Sequence, residues 1–323
     1  MVANFLKFFI EIVFLRSQYG LKFSKIDNYQ VSYKCDLVIL CSQLKNVMMK
    51  KILFPTDFSE VSKNAFIYAL KLADVIDAEI ITLHVYELDS PAYLDVSIYL
   101  QDIYDYEELS DFENYKDEVP ILRKIAEAND LAHIKMSNVL IQGYLVSEVV
   151  KLSKKENIDF IVMGTKGVTH FHEVFLGTVT TKIMNECNAT VLAIPEKCSY
   201  VPIEKILFNT RYHMSDIEPL KKVVDLANVF HSHVDCLNVK PPHSVYTDDF
   251  VVDFKNVFNE QDVAFHSVMG TDVEGAILNF IEQNKINMVA IHERHRNFFE
   301  KLFQVSLSKK LTFHINIPIL SVH

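Results

Sequence analysis

From about residue 50 onward, short unbroken apolar runs alternate with stretches of helical periodicity. The apolar runs predict strands near 51–55, 79–85, 134–141, 159–163 and 189–194. Between them, recurrence every three to four residues predicts helices near 60–76, 108–130, 145–156 and 177–186. A strand apolar on both faces is one covered by helices on both sides, as in a parallel sheet. The repeated strand–helix order therefore predicts an α/β fold with right-handed crossovers. In such sheets ligands sit at the carboxyl ends of strands where the strand order reverses. Asp57, Val85 and Gly164 each fall at or just after such an end.

The pattern is written twice. Lys51-Ile-Leu-Phe-Pro-Thr-Asp57 returns as Lys205-Ile-Leu-Phe-Asn-Thr-Arg211, and Leu83-His-Val85 as Leu237-Asn-Val239. Ile158-Asp-Phe-Ile-Val-Met163 returns as Ile286-Asn-Met-Val-Ala-Ile291. Self-similarity on this scale indicates two copies of a whole domain, not a solenoid. The expected architecture is two tandem, doubly wound, mainly parallel five-stranded sheets with flanking helices. The expected domains are 48–198 and 203–323, preceded by an extension, 1–47. That extension is apolar at its start but interrupted by Lys7 and Glu11, and too short there for a membrane span. It reads either as the product of an early start codon or as a membrane- or partner-binding helix. The first copy also carries an acidic, tyrosine-rich insertion at about 88–115, a surface excursion or a lid.

A net charge of −10 argues against a broad nucleic-acid surface. The five cysteines are scattered, with neither zinc-ligand nor redox spacing, which suits reduced thiols in a cytoplasmic protein. The histidine pairs His170/His172 and His292/His295 lack a third ligand at metal-binding spacing, so no metal site is assigned.

The chemistry concentrates in one run. Of only seven glycines in the chain, three are Gly164, Gly167 and Gly177. They follow the apolar strand Phe160-Ile-Val-Met163 and lead into a helical stretch. Glycine admits close backbone approach to a ligand, and a helix start offers unpaired N–H groups, so the combination suits a polyphosphate. The spacing is neither the dinucleotide fingerprint nor a Walker loop.

The run Gly164, two residues, Gly167, nine residues, Gly177-Thr178 resembles the ATP-binding motif of the universal stress protein family. Lys51-Ile-Leu-Phe-Pro-Thr-Asp-Phe-Ser59 and Thr82-Leu-His-Val85 resemble its opening strand and the end of its second strand. The resemblance implies an adenine nucleotide alpha hydrolase-like fold and a stress role. It also implies an ATP site in which Pro55, Thr56, Asp57 and Val85 meet the nucleoside. Gly164, Gly167, Gly177, Thr178 and Val179 would meet the phosphates, with Mg²⁺ as a bridging ion. In the second copy His292, His295 and Val305 stand at the glycine positions and Arg211 at that of Asp57. Only Ser306 keeps a hydroxyl there, so ATP binding is expected in the first copy alone. The second copy is expected to act as partner in an intramolecular pseudo-dimer, with a homodimer of whole chains as a further option. No nucleophile elbow or acid–base constellation is present, so hydrolysis is expected to be weak at most. The competing reading is a protein-interaction or regulatory module that no longer uses nucleotide, its protein partners unknown.

Overall fold

The computed structural model describes residues 49–86, 97–165, 177–240, 249–292 and 316–323. From Lys50 to His323 the chain forms one compact unit. Its first half runs β1 (Lys50–Pro55), α1 (Glu60–Ile76), β2 (Ala78–Tyr86), α2 (Ser97–Ala128), β3 (Met136–Gln142), α3 (Leu145–Glu156), β4 (Phe160–Gly164), α4 (Thr178–Glu186) and β5 (Thr190–Ile194). The second half runs β6 (Lys205–Asn209), a 3₁₀ turn (Met214–Asp216), α5 (Ile217–Phe230), β7 (His233–Lys240), α6 (Asp249–Val257), β8 (Val263–Met269), α7 (Val273–Asn284), β9 (Met288–His292) and β10 (Ile319–Val322).

The first five strands pair in parallel in the order β3-β2-β1-β4-β5, and the second half repeats that order as β8-β7-β6-β9-β10. The expected five-stranded sheets do not stand apart. β5 and β10 pair antiparallel, with Leu192 opposite Leu320, so that ten strands form one continuous sheet. The reason lies in burial: an isolated β5 or β10 would be an open edge of apolar residues, and pairing covers both. Ala193, Val191, Ile319 and Leu320 are all at most 2% exposed.

Alternation along the strands divides the core into two layers. Ile52 and Phe54 of β1 pack with Phe66 and Leu70 of α1 and Leu122 of α2. Leu53, between them, faces the other way, into a layer with Val149 of α3, Ile183 of α4 and Leu83 of β2. This is the arrangement that unbroken apolar strands require. Helix α2 begins at Ser97, well before the expected 108, so the described part of the acidic insertion continues the helix. Pro120 lies inside α2 without ending it; Leu122 and Ala126, both fully buried, hold the following turns against the sheet.

Candidate functional site

Strand order reverses between β1 and β4, and the described first-half site residues lie at the strand ends and helix start around that point. Pro55 ends β1 and Thr56 follows, its N–H donating to Leu83 C=O at 2.9 Å. Thr56 Oγ1 shares a 2.6 Å hydrogen bond with Ser62 Oγ and accepts from Phe58 N–H at 3.0 Å. Phe58 takes the left-handed conformation, φ 59°, to make this tight turn. Asp57 is exposed, and its Oδ1 accepts from both Ser59 N–H (3.1 Å) and Ser59 Oγ (2.7 Å). Ser59 in turn caps α1 by accepting from Ser62 N–H. Among the described residues Asp57 Oδ2 has no hydrogen-bond partner and is available to a ligand.

The end of β2 supplies a backbone edge. Along a strand, successive residues turn their N–H and C=O to opposite neighbours. Leu83 C=O turns to β1, accepting from Thr56, whereas Tyr86 C=O turns to β3, accepting from Gly143 N–H at 3.0 Å. Val85 therefore turns both its groups towards β1, but β1 has already ended at Pro55. The Thr56 carbonyl is engaged by His84 Nδ1 at 2.8 Å. Among the described residues neither the N–H nor the C=O of Val85 has a partner. A donor and an acceptor side by side on one residue match the edge of a heteroaromatic base.

On the other side of the reversal, β4 ends at Gly164 and α4 begins after Gly177. The expected role of Gly177 needs correction. Its N–H donates to Thr165 C=O at 2.9 Å and so does not face a ligand. Its φ of −62° is ordinary for any residue. Glycine is required there because a Cβ would stand 2.5 Å from the Thr165 carbonyl oxygen. The free donors lie one step on. As the cap of α4, Gly177 has no side chain to serve Thr178, Val179 and Thr180, whose N–H groups precede the first intrahelical bond. Thr178 and Val179 are exposed, while Thr180 is buried with its Oγ1 donating to Gly164 C=O. Gly167 lies outside the described residues, as do His170, His172, His295, Val305 and Ser306.

The second half keeps the framework and changes the site. Thr210 N–H donates to Leu237 C=O at 3.0 Å, and Tyr212, φ 55°, donates to Thr210 Oγ1, as Thr56 and Phe58 do. At the place of Ser62 stands Asp216, 1% exposed, whose Oδ2 accepts from Thr210 Oγ1 and the N–H groups of Arg211 and His213. At the place of Gly164, the end of β9, stands His292, 7% exposed, with Nδ1 3.5 Å from Asp216 Oδ1. Side chains thus occupy ground left bare in the first half. Asp216 was not singled out in the sequence, although its offset from Thr210 equals that of Ser62 from Thr56.

Among the described residues no group of three or more His, Cys, Asp or Glu is placed to hold a metal ion. No helix among them is long and apolar enough to cross a membrane.

The fold is that of a doubly wound α/β protein, with the Val85 backbone groups left without a partner among the described residues near the strand-order reversal of the first half. A family model described as the universal stress protein family matches residues 48–195. Universal stress protein MJ0577 of Methanocaldococcus jannaschii is 30% identical over 164 residues, 48% of this chain and 99% of its own. Universal stress protein MJ0531 of the same organism is 28% identical over 147 residues, 46% of this chain and 82% of its own. The crystal structure of a universal stress protein from Archaeoglobus fulgidus superposes with TM-score 0.62 over 85% of this chain and 98% of its own, at 18% identity. That likeness shows the fold across both halves. The chain belongs to the universal stress protein family.

Proposed function

We propose that the first half, residues 48–198, binds ATP at this crevice. The second half, 203–323, serves as the partner that a second chain would otherwise supply, within a cytoplasmic stress response. The observation that carries the reading is the open Val85 edge at the same end of the sheet as the uncapped start of α4. The Val85 N–H suits adenine N1 and its C=O suits the 6-amino group; guanine presents the reverse order at these positions. Asp57 Oδ2 is suited to accept from a ribose hydroxyl. The N–H groups of Thr178, Val179 and Thr180 are suited to phosphate oxygens, aided by the positive end of α4. A magnesium ion would arrive with the phosphates and be held mostly by them and by water.

Isothermal titration calorimetry with ATP and Mg²⁺ tests the proposal. The expected result is saturable binding that Asp57→Ala weakens about tenfold, the size of one good hydrogen bond. Bound ATP at about a hundred times its Kd should also stabilise the fold by about 2.7 kcal/mol. No saturable heat at millimolar ATP would overturn the nucleotide reading and leave the protein-interaction reading in its place.

A further inference from the structure

His84 lies at the carboxyl end of β2, beside Val85, and its backbone belongs to the ladder with β3. Its side chain performs a second task. Nδ1 stands 2.8 Å from the Thr56 carbonyl, which can only accept, so the proton is on Nδ1. This side-chain bond stands in for the backbone rung missing where β1 stops. It ties the loop that carries Asp57 to the strand end that carries Val85.

The ring sits in a three-way aromatic cluster. Phe58, from the same loop, lies 5.0 Å away, and Tyr115 of α2 stacks on it at 6.3 Å with 25° between the planes. Phe58 and Tyr115 also meet edge-on at 6.1 Å. Burial at this junction pushes the Tyr115 phenol above its ordinary pKa. The triad therefore joins the loop, β2 and α2 at one point under the crevice.

The second half serves as an internal control. Asn238 stands at the His84 position and, among the described residues, makes no hydrogen bond to the Thr210 carbonyl. Tyr212, at the Phe58 position, turns into the core instead. It packs edge-on to Phe254 at 5.5 Å, and its hydroxyl donates to His266 C=O at 2.9 Å. The tie and the stack thus occur only in the half whose Val85 edge and bare Gly164 suit a nucleotide.

We propose that His84 is a positioning residue that sets the spacing between the Asp57 loop and the Val85 edge, and so decides which base is accepted. The inference rests on the nucleotide reading above. A base that must meet both the Val85 pair and a loop bearing its ribose partner is discriminated only while those two elements keep their distance. Phosphate contacts at α4 are indifferent to the base.

The test uses the full chain, with ATP and GTP titrated separately, and His84→Phe and His84→Asn beside the unaltered protein. Phenylalanine keeps the stacked ring but removes the donor; asparagine is the residue that the second half carries at this position without the tie. The expected result is an ATP affinity reduced about tenfold in His84→Phe, with GTP much less affected, so that the ATP preference shrinks. His84→Asn should shrink the preference likewise, since Asn238 at the equivalent position makes no bond to the Thr210 carbonyl among the described residues. Tyr115→Leu should weaken ATP in the unaltered background but add little to His84→Phe, since coupled positions are not additive. An unchanged ATP-to-GTP ratio in His84→Phe, or equal losses for both nucleotides, overturns the inference while leaving nucleotide binding standing. An unaltered protein that takes up neither nucleotide removes the underlying reading, and this inference with it, before any variant is compared.

Discussion

A methyl group at position 177 would sit 2.5 Å from the Thr165 carbonyl oxygen, closer than side-chain carbons tolerate. That carbonyl cannot retreat freely, because Thr165 N–H is bonded to Ile194 C=O of β5 at 3.0 Å. Gly177→Ala should therefore lower stability by about 1–3 kcal/mol, the usual cost of a forced contact in packed structure. The backbone angles of Gly177 suit alanine, so the cost comes from contact and not from conformation. Urea unfolding of the variant checks this, and a change within about 0.5 kcal/mol would refute it. The glycine is prominent in the sequence, but its reason is not: spacing suggested exposed amides, while the structure uses Gly177 to let strand end and helix start touch.

The helices show what a glycine-poor chain does at its stops. α1, α3, α5 and α7 are followed by Asp77, Asn157, His231 and Lys285, each left-handed with φ between 51° and 56°. Glycine is the usual residue for this turn because a Cβ raises its energy. Lys285 is exposed and its role at the stop is carried by its backbone N–H, which donates to Ile281 and Glu282 carbonyls. Lys285→Gly should thus stabilise the protein by about 1 kcal/mol, seen as a rise in the thermal midpoint. For α1 and α3 the helix ends were legible without glycines, because the change from periodic to apolar-run pattern marks them. Where that pattern failed, at the start of α2, the acidic run has no apolar stripe to reveal the helix.

Across the whole molecule, three described cysteines are buried: Cys187, Cys198 and Cys236. Burial raises the pKa of each thiol, and that of Cys236, fully enclosed, goes well above its ordinary value. In the unfolded chain these thiols ionise near pH ~8.5, so only the unfolded state loses the proton above that pH. Their contribution to stability is complete below about pH 8.5 and is lost as pH rises towards the folded-state values. At pH 9.5 Cys236 alone should account for a loss of stability on the order of 1 kcal/mol. Denaturant unfolding at pH 7.5 and 9.5 measures this, and Cys236→Ala should flatten the difference; an equally steep loss in that variant would rule out Cys236 as the cause.

The α/β class, the first-half strand positions to within a residue or two, the doubling of the pattern and the resemblance to the family are all legible in the sequence. These follow from periodicity and from short motifs, which act over a few residues. Three features needed the tertiary structure, because each depends on atoms far apart in the chain. The joining of two sheets through β5 and β10 pairs Leu192 with Leu320. The open Val85 edge exists because β1 stops at Pro55 while β2 continues to Tyr86. The Asp216–His292 pair that fills the second half brings together the first turn after β6 and the end of β9. Local pattern says which residues become strand or helix; packing of the finished sheet decides which backbone groups find partners and which stay bare.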